Sequence, residues 1–152
     1  MIRTRKRMTL CLILTVLNVA FIWGNSLMPR EMSSAFSQFV GNILNVLFPG
    51  PDIPPTGEGH GLLRKIAHFT EFCCLGVLLC WGVRMLRQKK WEGFVYPIGM
   101  GALVAITDET IQYFVPGRGP GVRDVLIDTS GVVLGVLLLA GIHATRTRKG
   151  DE

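Results

Sequence analysis

The sequence predicts an all-α polytopic membrane protein, a bundle of four transmembrane helices with an amphipathic interfacial helix between the first and second spans. Three observations carry that prediction. Apolar runs long enough to cross a hydrocarbon core of about 30 Å recur along the chain. Short basic clusters flank them in the pattern of topogenic charge. Most remaining ionisable residues fall inside or beside the runs, at matching depths. Composition agrees: 152 residues, 49% of them hydrophobic, give a mean hydropathy of +0.39, too apolar for an ordinary soluble domain. The length suits a single domain, residues 1–152. A net charge of +5 invites nucleic acid as a partner, but the Lys and Arg residues cover no folded face and no nucleic-acid motif occurs. The expected partner is the lipid bilayer.

The first span is the apolar run of about 8–27, preceded by Arg3, Arg5, Lys6 and Arg7. It exceeds the apolar core of a signal peptide, about 7–15 residues, and ends in Asn25-Ser26-Leu27-Met28-Pro29, so it is read as an uncleaved span. Residues 30–48 place Met32, Phe36, Phe39, Val40, Ile43, Leu44 and Leu47 at helical spacing between serines and asparagines, the pattern of a helix lying in the interface. Prolines make Pro49–Gly61 a loop, with His60 read as solvated. The further spans are 62–83, 93–115 and 122–142. The connection holds Arg84, Arg87, Lys89 and Lys90, and the tail holds Arg146, Arg148 and Lys149. With the N-terminal cluster these are eleven of the 16 basic residues. Four spans with both termini cytoplasmic put them all on one side, whereas a fifth span would move the Arg84–Lys90 cluster outside. Trp81 and Trp91 near the inner boundary, and Trp23 and Tyr113 near the outer one, fit aromatic belts. Cys11, Cys73, Cys74 and Cys80 lie in apolar runs without zinc-ligand spacing and are read as small buried hydrophobes with free thiols.

Depth turns the ionisable residues into a site. Counting 1.5 Å per residue from the cytoplasmic end of each span puts Glu71 at about 18 Å, His68 and Asp108 at about 22 Å, Glu109 at about 24 Å, Asp128 at about 21 Å and Asp124 at about 27 Å. Three helices running in opposite directions thus place acids and a base in one layer of the outer leaflet. Phase adds to this. Arg64, His68 and Glu71 share one helix face, Asp108 and Gln112 another, Asp124 and Asp128 a third. The last face continues through Gly131 and Gly135, a small-residue pair that admits close backbone approach. Local readings compete: Asp124 as a helix-start carboxylate, Arg64 and Lys65 as snorkelling anchors, Glu71, Asp108 and Glu109 as structural ion pairs, and His68 as a satisfied core histidine. The turn Pro116-Gly117-Arg118-Gly119-Pro120-Gly121 precedes a helix N-terminus, where exposed N–H groups and an arginine suit a phosphate or carboxylate. Its plain alternative is a membrane turn. Five carboxylates face Arg64, Lys65, Arg118 and Arg123, so neutrality needs a protonated carboxylate, a charged histidine or a bound cation.

Trp23-Gly24-Asn25-Ser26-Leu27, Arg64-Lys65-Ile66-Ala67-His68-Phe69-Thr70-Glu71-Phe72, the run Asp108-Glu109-Thr110-Ile111-Gln112-Tyr113-Phe114-Val115-Pro116-Gly117-Arg118, and Asp124-Val125-Leu126-Ile127-Asp128 followed by Gly131 resemble the VanZ-like family. The resemblance spans roughly Trp23 to Gly135. It implies a small multi-pass protein of the bacterial plasma membrane and cell envelope, in a family named after a member that gives low-level resistance to the lipoglycopeptide antibiotic teicoplanin. It supplies a cellular context and no reaction.

Three functions fit these residues. In the first, an enzyme acts at the outer leaflet on a lipid-linked, phosphate-bearing envelope molecule. His68 and Glu71 form its acid/base pair, while Asp108, Glu109 and Asp128 hold a divalent cation, the candidate cofactor, or activate a nucleophile. Arg118 holds the anionic group, with Arg64, Gln112 and Asp124 as further substrate contacts. In the second, a binding module retains a lipoglycopeptide or envelope precursor beneath the 30–48 segment, with Phe36 and Phe39 in a lid. The third is proton-coupled transport, against which stands the lack of ionisable residues in the inner half of each span. With His68 the one intramembrane histidine read from the sequence, zinc has little support there.

Overall fold

The computed structural model describes residues 2–29, 31–33, 35, 39, 43, 58–86, 89, 91–119 and 121–148. These form four long helices, α1 (Ile2–Ser26), α2 (Glu58–Leu86), α3 (Glu92–Tyr113) and α4 (Val122–Arg148), and contain no strand. Each helix carries a stretch long and apolar enough to cross a bilayer: Thr4–Ser26, Leu62–Leu86, Glu92–Tyr113 and Val122–Thr145. At 1.5 Å per residue these run about 33–38 Å, slightly more than the hydrocarbon thickness. The protein is a multi-pass, all-α membrane protein. Leu10, Leu12, Val16, Leu17 and Phe21 on α1, Leu103 and Ile106 on α3, and Leu126, Leu137 and Leu138 on α4 are exposed, as lipid-facing positions should be.

Helix ends differ from the expected spans for local reasons. Glu58–Gly61 are helical where a loop was expected, and α4 continues to Arg148 because Gly141 alone does not break a helix. At the end of α3, the N–H groups of Phe114 and Val115 donate to Ile111 O at 3.0 Å and Gln112 O at 3.1 Å. This tight last turn stops before Pro116, which cannot continue it. Gly117 then takes φ 76°, a left-handed conformation that glycine adopts without a Cβ clash, and the chain reverses into α4. Of the segment 30–48, Glu31–Ser33, Ala35, Phe39 and Ile43 are described and helical; the others, Phe36 among them, lie outside the described residues.

α2 and α4 form the closest helix pair. A Cβ on Gly135 would collide with Cys73 O, one on Gly131 with Phe69 O, and one on Gly76 with Val132 O. Backbone therefore lies on backbone along this seam, with dispersion as the driving force between helices in lipid. Ile22, Phe72, Leu75, Cys80, Ala105, Val132 and Val136 fill the centre. α1 packs against α2 and α3. Pro97 lies inside α3 and has no N–H for the carbonyl of Gly93 four residues earlier. The buried Cys80 thiol donates to that carbonyl at 3.4 Å, and Arg84 Nε donates to Cys80 Sγ at 3.3 Å. Cys11 and Cys80 are buried free thiols as expected, while Cys74 is exposed on the bundle surface.

Candidate functional site

The polar residues gather at the end of the bundle that carries the 114–121 connection. His68 of α2 places Nδ1 3.7 Å from Asp108 Oδ2 of α3 and 3.8 Å from Asp128 Oδ2 of α4. Asp108 and Asp128 are fully buried. These separations are too long for good hydrogen bonds, so the three side chains converge on a shared point without closing on one another. Their donor atoms all lie within 4.8 Å of each other, and one imidazole with two carboxylates can coordinate a divalent cation.

A second tier fixes this group. Gln112 Nε2 faces Asp108 Oδ2 at 2.9 Å, Glu109 Oε1 at 3.1 Å and Ser26 Oγ at 3.2 Å. Two N–H bonds serve three acceptors there, and the carboxylates dictate that the amide nitrogen points toward them. Glu109 Oε2 accepts from the N–H of Gly121 at 2.8 Å, tying α3 to the start of α4. Asn25 Nδ2 donates to Glu71 Oε1 at 2.9 Å, and Asn25 O accepts from Arg118 Nη2 at 3.2 Å. Lys65 and Asp124 pair at 3.8 Å on the rim, with 46% and 31% of their side chains exposed. Such an exposed pair contributes little stability.

Several buried polar atoms have no hydrogen-bond partner: Glu71 Oε2, Asp108 Oδ1, Asp128 Oδ2, and Nε and Nη1 of Arg118. An orphaned buried group costs about 1–3 kcal/mol, more when charged. Burial lowers the pKa of the Arg118 guanidinium, and neighbouring Arg64 lowers it further, while Asp108 and Glu109 act in the opposite direction. Its ordinary value lies so far above neutrality that Arg118 stays a cation.

Two spaces adjoin the group. A cavity of about 10 Å³ is bounded by Arg64, Lys65, His68, Glu109, Gln112, Asp124, Ile127 and Asp128, room for about one water or ion. Beside it, an apolar groove of about 480 Å³ runs between α3 and α4 along Ile106, Thr110, Tyr113, Phe114, Val122 and Val125, and Glu109 lines both spaces.

Every residue singled out from depth and phase thus lies at this end, with different neighbours in places. The trio that converges is His68, Asp108 and Asp128, whereas the expected cation ligands were Asp108, Glu109 and Asp128. Adjacent helical residues point about 100° apart, so once Asp108 faces the centre Glu109 must turn aside, here toward Gly121. His68 stands against the two aspartates, and Glu71, its expected partner, is hydrogen-bonded to Asn25 while lying within electrostatic reach of His68. The amide before α4, where Asp124 was a candidate cap, is bonded by Glu109 instead. Asn25 and Ser26 were not among the expected site residues. Their signal was present, a polar pair closing a largely apolar span, but it reads equally well as the span's end.

The four spans and the acid, base and arginine gathered at one end define a class of small membrane proteins with a polar site enclosed by the bundle. The chain belongs to the VanZ/LLP1 family, whose profile matches residues 9–143. No curated protein and no solved structure matches it.

Proposed function

We propose that this end of the bundle is an outer-leaflet site that acts on a lipid-linked, phosphate-bearing molecule of the bacterial cell envelope. The observation that carries the reading is Arg118. One N–H is committed to Asn25 O, while Nε and Nη1 are buried without partners, and Arg64 lies near enough to perturb it. A buried guanidinium with two unsatisfied nitrogens suits an anion, and phosphate offers matched acceptors. The basic clusters at Arg3–Arg7, Arg84–Lys90 and Arg146–Lys149 support cytoplasmic termini and, with them, an outward-facing site. The groove along Ile106, Val122 and Val125 suits a hydrocarbon chain. Glu71, one of whose carboxylate oxygens has no partner, would take the proton from a water attacking phosphorus and return it to the lipid alkoxide as the P–O bond to the lipid breaks, beside the group formed by His68, Asp108 and Asp128.

The groove also favours a second reading, non-catalytic retention of an amphiphilic antibiotic such as a teicoplanin-type lipoglycopeptide, or of an envelope precursor. One experiment separates these. The protein is placed in nanodiscs containing equal parts of an isoprenyl monophosphate, phosphatidylglycerol and phosphatidylcholine, and the retained lipids are weighed by native mass spectrometry. Enrichment of the monophosphate over phosphatidylcholine by about tenfold or more, the equivalent of about one charge-assisted contact, is expected. Loss of phosphate from the retained lipid favours catalysis, and an unchanged mass favours retention. Lipids recovered in their bulk proportions would remove both lipid readings.

A further inference from the structure

We propose that His68, Asp108 and Asp128 form a binding site for one divalent transition-metal ion, with zinc the best match, held by three protein ligands and open on the side of the small cavity. Geometry is the first ground. One imidazole nitrogen and two carboxylate oxygens from three helices lie 3.7–3.8 Å apart across the His68 contacts. That is wider than a hydrogen bond and a few tenths of an ångström wider than the spacing of ligands about 2.0–2.2 Å from a tetrahedral ion. The second ground is independent. Asp108 Oδ1, which takes no part in those contacts, has no hydrogen-bond partner, and Asp128 Oδ2 has none, with only His68 Nδ1 facing it at 3.8 Å; both side chains are fully buried, and in protein interiors such oxygens are rarely left so. Charge agrees, because two carboxylates and a neutral imidazole around a divalent ion sum to zero at a depth where net charge is costly.

The donor set decides the class of ion. Magnesium and calcium favour all-oxygen shells and more ligands, whereas imidazole with carboxylates suits zinc and its neighbours; the single histidine that gave zinc little support in the sequence is joined here by two converging carboxylates. Gln112 donates to Asp108 Oδ2, the oxygen that also faces His68 Nδ1, and so fixes the orientation of that ligand. The adjoining cavity, bounded by His68 and Asp128, leaves room for the fourth, exchangeable ligand of an open zinc site. Glu109 is outside the set, its carboxylate being taken up by Gly121 and Gln112.

The test uses detergent-purified full chain carrying no polyhistidine tag, stripped with chelator and titrated with Zn²⁺ alone. About one ion per chain is expected, with affinity lowered about 10–100-fold or more in Asp128→Asn and His68→Gln and unchanged within about threefold in Glu109→Gln and Glu71→Gln. Co²⁺ should give the visible absorption of a low-coordinate site, which Asp128→Asn abolishes while its thermal unfolding remains cooperative. The proposal is overturned if the stripped protein binds no Zn²⁺, if Mg²⁺ competes at equal concentration, or if Glu109→Gln loses the ion as fully as Asp128→Asn. The result is independent of the lipid reading, because lipid retention can be measured in chelator: either can fail while the other stands.

Discussion

Arg118→Gln is expected to reduce retention of an isoprenyl monophosphate by about two orders of magnitude or more. Two guanidinium N–H groups, Nε and Nη1, are buried without partners, and hydrogen bonds to a charged group contribute about 1.5–3 kcal/mol each. Two such bonds amount to about 3–6 kcal/mol, against about 1.4 kcal/mol per tenfold change in affinity. Glutamine keeps a donor for Asn25 O and ends the repulsion from Arg64, so the fold should persist and unfolding temperature should hold or rise. Arg118→Lys keeps the charge but not the fork, and should recover only part of the loss. Native mass spectrometry across a lipid titration reads all three proteins. Equal retention by Arg118→Gln and the parent would mean that the guanidinium contacts no phosphate.

Gly135→Leu is expected to be the most damaging single change to the bundle. A Cβ at Gly135 already meets the backbone of Cys73 and Val77, and a backbone cannot rotate away as a side chain does. Overpacking of this kind costs about 1–3 kcal/mol, occasionally more. The displacement would separate α2 from α4, and so His68 from Asp128. Gly141→Leu, in the same helix with nothing within 4 Å of its added Cβ, is the control. Thermal unfolding in detergent should drop by several degrees for Gly135→Leu alone, with Zn²⁺ and lipid binding lost in parallel. Comparable behaviour of the two variants would contradict backbone contact along the α2–α4 seam.

The spans were legible because hydropathy and length suffice where every backbone group must bond within its own helix. The level of the site was legible too, since a fixed rise per residue converts sequence distance into depth. Rotation about each helix axis was not. Whether Asp108 or Glu109 faces His68 depends on packing set by Gly76, Gly131, Gly135 and the α3 contacts, and the two acids are adjacent in sequence. Nor was the part played by α1. Asn25 and Ser26 reach Glu71 and Gln112 across gaps of 46 and 86 residues, and such pairings leave no periodic trace. The Cys80 thiol answering the carbonyl that Pro97 leaves unbonded is of the same kind. Proline signals the unmet carbonyl, but only the fold shows which side chain meets it.

The convergence of three helices on one buried point is tested most directly by paired cysteines in a chain whose four native cysteines are replaced by alanine. His68→Cys with Asp108→Cys, His68→Cys with Asp128→Cys, and Asp108→Cys with Asp128→Cys would each be treated in membranes with the shortest bifunctional thiol reagent, and bridged pairs counted by intact mass. All three pairs should bridge, while His68→Cys with the lipid-facing Leu126→Cys should not. Bridging no better than in that control would mean that the acids and the base do not share a site.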